Sequence, residues 1–303
     1  MDNIKGILYV VAAAVIFGFL PFFTKVVLAN GFNETTFIFI RSIFTTVFIY
    51  IIIKRKGISL KLNDAKFLDI VKIGFFGYGG MLYALILSYK FMPTGIASAI
   101  HFVYPLAVMV GGVLYYNEKF NIKKMGTVVL ALVGIFLIIG LENDGSISLL
   151  GLILALLSGI LYAYYMLEVG SGVFKKMNSL KLVFYVSVSN IFLFFGASII
   201  TGNFTFNADF TGYFYVLIIA ALTLVGMIAI KLGLERVNVV TASIISTFEP
   251  LTSLVVGVLL LGEILLFNHI IGSLLILVSV IFASVLEKKD RAIGKSELEK
   301  KAR

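Results

Sequence analysis

The stretch ASAIHFVYPLAVMVGGVLYYNE, residues 97–118, returns as ASIISTFEPLTSLVVGVLLLGE at residues 242–263. The two copies align without a gap at an offset of 145, and ten of the 22 positions are identical. Shared hydrophobicity alone does not produce these matches, because they include Ser98 with Ser243, Pro105 with Pro250, Gly112 with Gly257 and Glu118 with Glu263. The same offset pairs Gly6 with Gly151 and Ala84 with Ala229, so the repetition runs through both halves of the chain.

Around each copy lie apolar stretches long enough to cross a hydrocarbon core of about 30 Å at about 1.5 Å per helical residue. They fall at 5–29, 35–53, 69–89, 95–115, 122–140, 148–168, 179–200, 210–230, 238–260 and 267–286. Apolar residues make up 60% of the 303 positions and the mean hydropathy is +1.06, which excludes a soluble domain. The first stretch runs from Lys5 past Ala12, Ala13 and Ala14 to Leu28, longer than the apolar region of a cleaved signal, and predicts a retained helix. Ten stretches and one duplication predict an all-α membrane protein of two five-helix units, residues 1–141 and 146–286, followed by a charged, solvated cytoplasmic tail at 287–303. An odd number of helices per unit makes the second copy enter from the opposite side, so the repeat is inverted, an arrangement suited to alternating access around a midplane site.

The net charge of +9 is explained by orientation rather than by nucleic-acid binding. With the N-terminus cytoplasmic, 22 of the 25 basic residues fall in inside segments, among them Lys54, Arg55, Lys56, Lys123, Lys124, Lys175, Lys176 and Lys231. Lysine and arginine are retained on the cytoplasmic side during insertion, so the chain is expected in a cell (inner or plasma) membrane with both termini cytoplasmic. The chain has no cysteine, which removes disulfides, thiolate metal sites and cysteine nucleophiles.

The Ala-Ser-Ile pattern leading to Pro105 and Glu118, its counterpart from Ala242 through Glu249-Pro250 to Gly262-Glu263, and Arg41 in the second helix together resemble the drug/metabolite transporter superfamily, in particular its ten-helix EamA-type members. The likeness covers nearly the whole chain. It implies a carrier of small organic metabolites, amino acids or their derivatives first among them, with export the favoured direction. Phe17-Gly18 stands where many members carry Trp-Gly, and this chain has no tryptophan.

Polar side chains cost several kcal/mol in hydrocarbon unless satisfied, so each one inside a span is a candidate for function. Ser243, Ser246, Glu249, Pro250 and Ser253 recur at helical spacing in the ninth stretch, and Ser98, His101, Tyr104 and Pro105 hold the equivalent positions in the fourth. As repeat mates the two stripes are expected to face one central cavity. Pro105 and Pro250 are the candidate hinges, each removing a backbone donor and freeing the carbonyl four residues back, at His101 and Ser246. Glu249 either binds a substrate amine, carries a coupling proton, or is a neutral acid bonded to a neighbour.

His101 either meets substrate, relays a proton or packs as a satisfied core residue. Arg41 either attracts a substrate carboxylate or holds a structural pair, with Glu34 and Glu249 as partners. Tyr162 and Tyr165, in line with Ser158 and Glu168, form an aromatic stripe that is either packing or a ligand wall, and Tyr83 is a weaker candidate of the same kind. Glu118 and Glu263 close the repeat motif and are read as structural, and Gly77, Gly79, Gly80, Gly111, Gly112 and Gly257 as close helix-packing positions.

No metal cluster, phosphate loop, paired carboxylates or nucleophile-base motif is present, so neither an ATP-driven pump nor a membrane-embedded enzyme is the leading reading. No cofactor is expected. The expected partners are a small-molecule substrate, the lipid bilayer and, through Glu249, a coupled proton. A non-transporting membrane sensor or subunit is the alternative, since a fold does not dictate its function.

Overall fold

A computed structural model describes residues 2–62, 67–92, 94–118, 120–139, 148–202, 204, 206–262 and 264–301, built of helices joined by short turns, with no strand among them. The helices are α1 (Asp2–Ala29), α2 (Glu34–Arg55), α3 (Phe67–Val71), a π-helical segment (Lys72–Gly79), α4 (Gly80–Ser88), α5 (Thr94–His101), α6 (Tyr104–Tyr116), α7 (Ile122–Ile139), α8 (Leu149–Gly170), α9 (Ser179–Ile200), α10 (Phe210–Leu234), α11 (Val239–Ser246), α12 (Phe248–Leu261) and α13 (Phe267–Lys301). Short polar residues start them: Asn33, Ser148, Asn178, Asp209 and Asn238 each accept a bond from the first turn of α2, α8, α9, α10 and α11.

Nine segments among the described residues are long and apolar enough to cross a membrane, which makes this a multi-pass membrane protein. The third is continuous from Phe67 to Ser88, with the π-helical segment inside it. The tenth stretch of the sequence, at 122–140, corresponds to α7, which is not one of the nine. Its far end, at residue 140, lies outside the described residues, to which the count of nine is confined.

The helices associate in a regular pattern. α1 packs along α10 and α4 along α8; α1 also meets α12 as α6 meets α8; α2 packs on α9, α7 on α13, and α6 on α11. Tyr104, Tyr162, Tyr165, Met166 and Val186 belong to the main buried cluster, and Phe32, Phe37, Phe194 and Val216 form a second one. The lysine-bearing ends of the helices meet on one face of the bundle: Lys181 Nζ donates to Lys61 O, Lys231 Nζ to Lys175 O at 2.7 Å, and Lys231 pairs with Glu235 at 3.0 Å.

The expected solvated tail differs at its first residue, Glu287. α13 continues without a break to Lys301, as a Glu- and Lys-rich sequence of high helix propensity permits. Glu287 is 2% exposed and bonded to α11 rather than solvated.

Candidate functional site

Two interrupted helices frame the site. α5 ends at His101 and α6 begins at Tyr104, while α11 ends at Ser246 and α12 begins at Phe248. Pro105 and Pro250 stand in the first turns of α6 and α12, where a backbone N–H has no intrahelical acceptor and its loss is tolerated. The sequence predicts kinks; the structure shows breaks. Val103 N–H turns to Ile100 O and Thr247 N–H to Ile244 O, both at 3.1 Å, closing each first half-helix with a tighter turn. The His101 carbonyl lies against α8 at Gly159, where a Cβ would stand only 2.9 Å away.

In the first pair the polar groups are spent on the protein. His101 Nδ1 lies 3.0 Å from Ser158 Oγ, and the Ser158 hydroxyl donates to Ala155 O at 2.6 Å. Since Ser158 uses its one proton on that carbonyl, the network assigns the imidazole proton to Nδ1 and leaves Nε2 as an acceptor. The Tyr104 hydroxyl donates across the repeat to Ser243 O at 3.4 Å, and Ser98 Oγ lies 3.3 Å from the Tyr89 hydroxyl. The ring of Tyr104 meets Tyr162 edge-on at 4.7 Å, Tyr162 stacks on Tyr165 at 6.1 Å, and Tyr165 meets Tyr78 at 5.4 Å. A continuous aromatic wall thus runs from His101 to Tyr78.

The second pair differs. Ser243 and Ser246 bond back to Val240 O and Ala242 O at 2.7 and 3.0 Å within α11. Glu249, one turn further on, is half-buried, and its carboxylate makes no hydrogen bond or ion pair among the described residues. It lies within electrostatic reach of Tyr78, Tyr89, Tyr104 and Tyr162. Behind it α1 is pressed close: a Cβ at Gly18 would meet Thr252 Cβ at 2.5 Å and Glu249 O at 2.8 Å. The neighbouring Phe17 ring fills the space over Gly226 of α10, so it serves here as packing.

Arg41 of α2 is 6% exposed and pairs with neither Glu34 nor Glu249. Its guanidinium sits over the Phe37 ring at 5.5 Å and within electrostatic reach of Tyr78. Tyr78 is therefore coupled to both Arg41 and Glu249. Tyr83 lies elsewhere, its ring 6.1 Å from Phe194 in the second cluster. Glu168 receives the Tyr116 hydroxyl at 2.8 Å, Glu118 binds at the lysine-rich face, and Glu263 lies outside the described residues.

Three groups near the site are not among the sequence candidates. Tyr78 is brought to the wall by the π-helical segment, whose extra residue per turn no hydrophobic period reveals. Tyr89 joins through Ser98. Asn190 of α9 is 3% exposed, its Oδ1 set against Gly79 of the π-helical segment and unpartnered among the described residues, as is the Tyr165 hydroxyl; an asparagine in an apolar span was signal enough to single it out. No group of three metal-ligating side chains occurs among the described residues. Among the described residues the Glu249 carboxylate and the Arg41 guanidinium each lack a charged partner, and Tyr78 lies within electrostatic reach of both, which leaves each group able to meet an opposite charge on a ligand.

Known proteins agree with this architecture. The sequence signature of the EamA-like transporter family matches residues 4–140 and again 149–285. The uncharacterized transporter YoaV of Bacillus subtilis (strain 168) is 27% identical over 238 residues, 76% of this chain and 79% of that one. The uncharacterized transporter YvbV of the same organism is 29% identical over 224 residues, 69% of each chain, and the uncharacterized transporter sll1319 of Synechocystis sp. 26% over 223 residues, 72% of this chain and 66% of that one. A crystal structure at 13% identity superposes with a TM-score of 0.82 over 94% of this chain and 98% of that one, a likeness of fold.

Proposed function

Because the chain belongs to the EamA-like transporter family of the drug/metabolite transporter superfamily, we propose that it is a secondary carrier that exports small zwitterionic metabolites, amino acids or their derivatives, by alternating access. In this reading it has ten spans in two inverted five-helix repeats, 1–141 and 146–286, with α7 as the fifth and both termini in the cytoplasm of a cell-membrane protein. The packing pattern supports the repeat, since the α1–α10 and α4–α8 interfaces exchange under the 145-residue offset, while α2–α9 and α7–α13 map onto themselves. The lysine excess on one face supports the orientation.

The observation that carries the substrate reading is a pair of ionisable groups with no ionic partner among the described residues, Glu249 half-buried at the helix break and Arg41 buried in α2. An uncompensated charge in the membrane interior is costly, so it is retained where a ligand, water or a proton completes it. Glu249 binds the substrate amine and exchanges it for a proton, Arg41 binds the carboxylate, and the wall of Tyr104, Tyr162, Tyr165 and Tyr78 borders the side chain. A thermal-shift screen of the purified protein against amino acids, nucleosides and vitamins tests this. A ligand at about 100 times its Kd stabilises by about 2.7 kcal/mol. The expected outcome is stabilisation by an amino acid or derivative that Glu249→Gln weakens; stabilisation only by compounds without an amine, or a shift unchanged in Glu249→Gln, contradicts the assignment.

A further inference from the structure

The helix that leads to Glu249 is gripped at its other end. Asn238, the N-cap of α11, donates its side-chain Nδ2 to Glu118 Oε2 at 3.1 Å and its backbone N–H to Glu287 Oε1 at 3.1 Å. Glu287 Oε2 accepts from the Thr241 hydroxyl at 2.9 Å, one turn into α11. The same carboxylate lies 3.7 Å from Lys124 Nζ, which also pairs with Asp290 at 3.0 Å. Glu118 in turn accepts from Ser171 at the end of α8, 3.3 Å away. Two carboxylates therefore join the ends of α6 and α8, the middle of α13 and the starts of α7 and α11 at one point of the lysine-rich face. Thr241 is fully buried and Glu287 nearly so, which makes these bonds costly to leave unmade.

The repeat makes the comparison with the other face direct. At the offset of 145, Asn238 corresponds to Pro93, which has neither an N–H nor a side-chain donor, and Thr241 to Ile96, which has no hydroxyl. Lys124 corresponds to His269, whose Nδ1 accepts from Leu266 N–H. The side-chain donors of Asn238 and Thr241 are thus not repeated at the equivalent positions of the sequence, and the mates of Glu118 and Glu287, Glu263 and Glu142, lie outside the described residues.

We propose that Glu118 and Glu287 are the latch of the gate on the lysine-rich face: they hold α11 shut in the present state and must release it for the site to open there, and the want of matching donors at Pro93 and Ile96 biases the protein toward opening on the opposite face. The inference rests on the carrier reading, but the latch is tested without a substrate. Spin labels at Lys176→Cys and Lys288→Cys, in a chain with no native cysteine, span the latch from the α8–α9 connection to α13. Their distance distribution is measured by pulsed electron resonance in reconstituted full-length protein.

One dominant short distance is expected in the parent, and Glu118→Gln with Glu287→Gln is expected to add a longer population. Thr241→Val, which removes one hydroxyl and conserves shape, gives the same change in smaller proportion and remains informative if the double variant does not fold. A distribution unaltered by Thr241→Val and by whichever glutamate variants fold overturns the latch and leaves the carrier reading intact. A lengthened distance in a protein that moves no metabolite in vesicles supports the latch and removes the carrier reading instead.

Discussion

Tyr104 and Glu249 occupy the same place in the two repeats, 145 residues apart and directly before Pro105 and Pro250. Their local backbones match, each at the start of the second half of a broken helix, and both second halves end on a left-handed cap, Asn117 at φ 54° and Gly262 at φ 68°, bonded to the mates Gly112 O and Gly257 O. Their side chains do opposite things. Tyr104 is 1% exposed, bonded across to Ser243 and packed on Tyr162, so the first repeat spends this position on cohesion. Glu249 is bonded to nothing among the described residues, so the second repeat leaves the same position open. A duplicated frame can thus keep one copy as the wall and free the other for a ligand.

The largest expected effect follows from that contrast. Glu249→Gln should lower substrate flux at least about tenfold, worth about 1.4 kcal/mol, with no loss of monodispersity on size-exclusion chromatography; a matching loss of folded protein would make Glu249 structural and break the contrast. His101→Ala should instead act on stability. Losing the Ser158 bond and the contacts with Tyr104 and Tyr162 is expected to cost about 3 kcal/mol, read as a lowered unfolding temperature, and non-additive with Ser158→Ala because the two share one bond.

Gly18→Ala probes the surface behind Glu249. Its Cβ would press into Thr252 and the Glu249 carbonyl and is expected to cost about 1–3 kcal/mol, whereas Gly126→Ala, facing nothing within 4 Å, should leave the unfolding temperature in place. The smallest effect is expected for Tyr83→Phe, whose hydroxyl makes no bond among the described residues; a change in ligand-induced stabilisation would put Tyr83 back in the site.

How far the residues announce these features depends on the kind of physics involved. The repeat was plain because Pro105, Gly112 and Ser98 match their mates in kinds of residue that hydrophobicity does not select. That His101 and Tyr104 share one helix face followed from helical spacing, whereas the meeting of Tyr162 with them depends on the packing of α8, which neither spacing nor the duplication specifies. The helix breaks were read only as kinks, since a proline fixes the loss of one donor but not how the chain re-satisfies the freed carbonyls.

Tyr78 was hidden because a π-helical turn shifts the face a residue presents, and glycines at 74, 77, 79 and 80 read equally well as simple packing sites. Glu287 was hidden by its setting. It begins a run of charges that looks solvated, and only the tertiary fold brings Asn238, Thr241 and Lys124 against it. The pairing of Arg41 failed in the other direction: Glu34 and Glu249 were candidate partners by charge alone, but Arg41 pairs with neither, and Tyr78 lies within electrostatic reach of both Arg41 and Glu249.

Exchange of labelled amino acids across proteoliposomes, parent against Glu249→Gln at equal incorporation, tests the central claim most directly. The account predicts saturable exchange in the parent that is lost in the variant. Equal rates in the two proteins would contradict it.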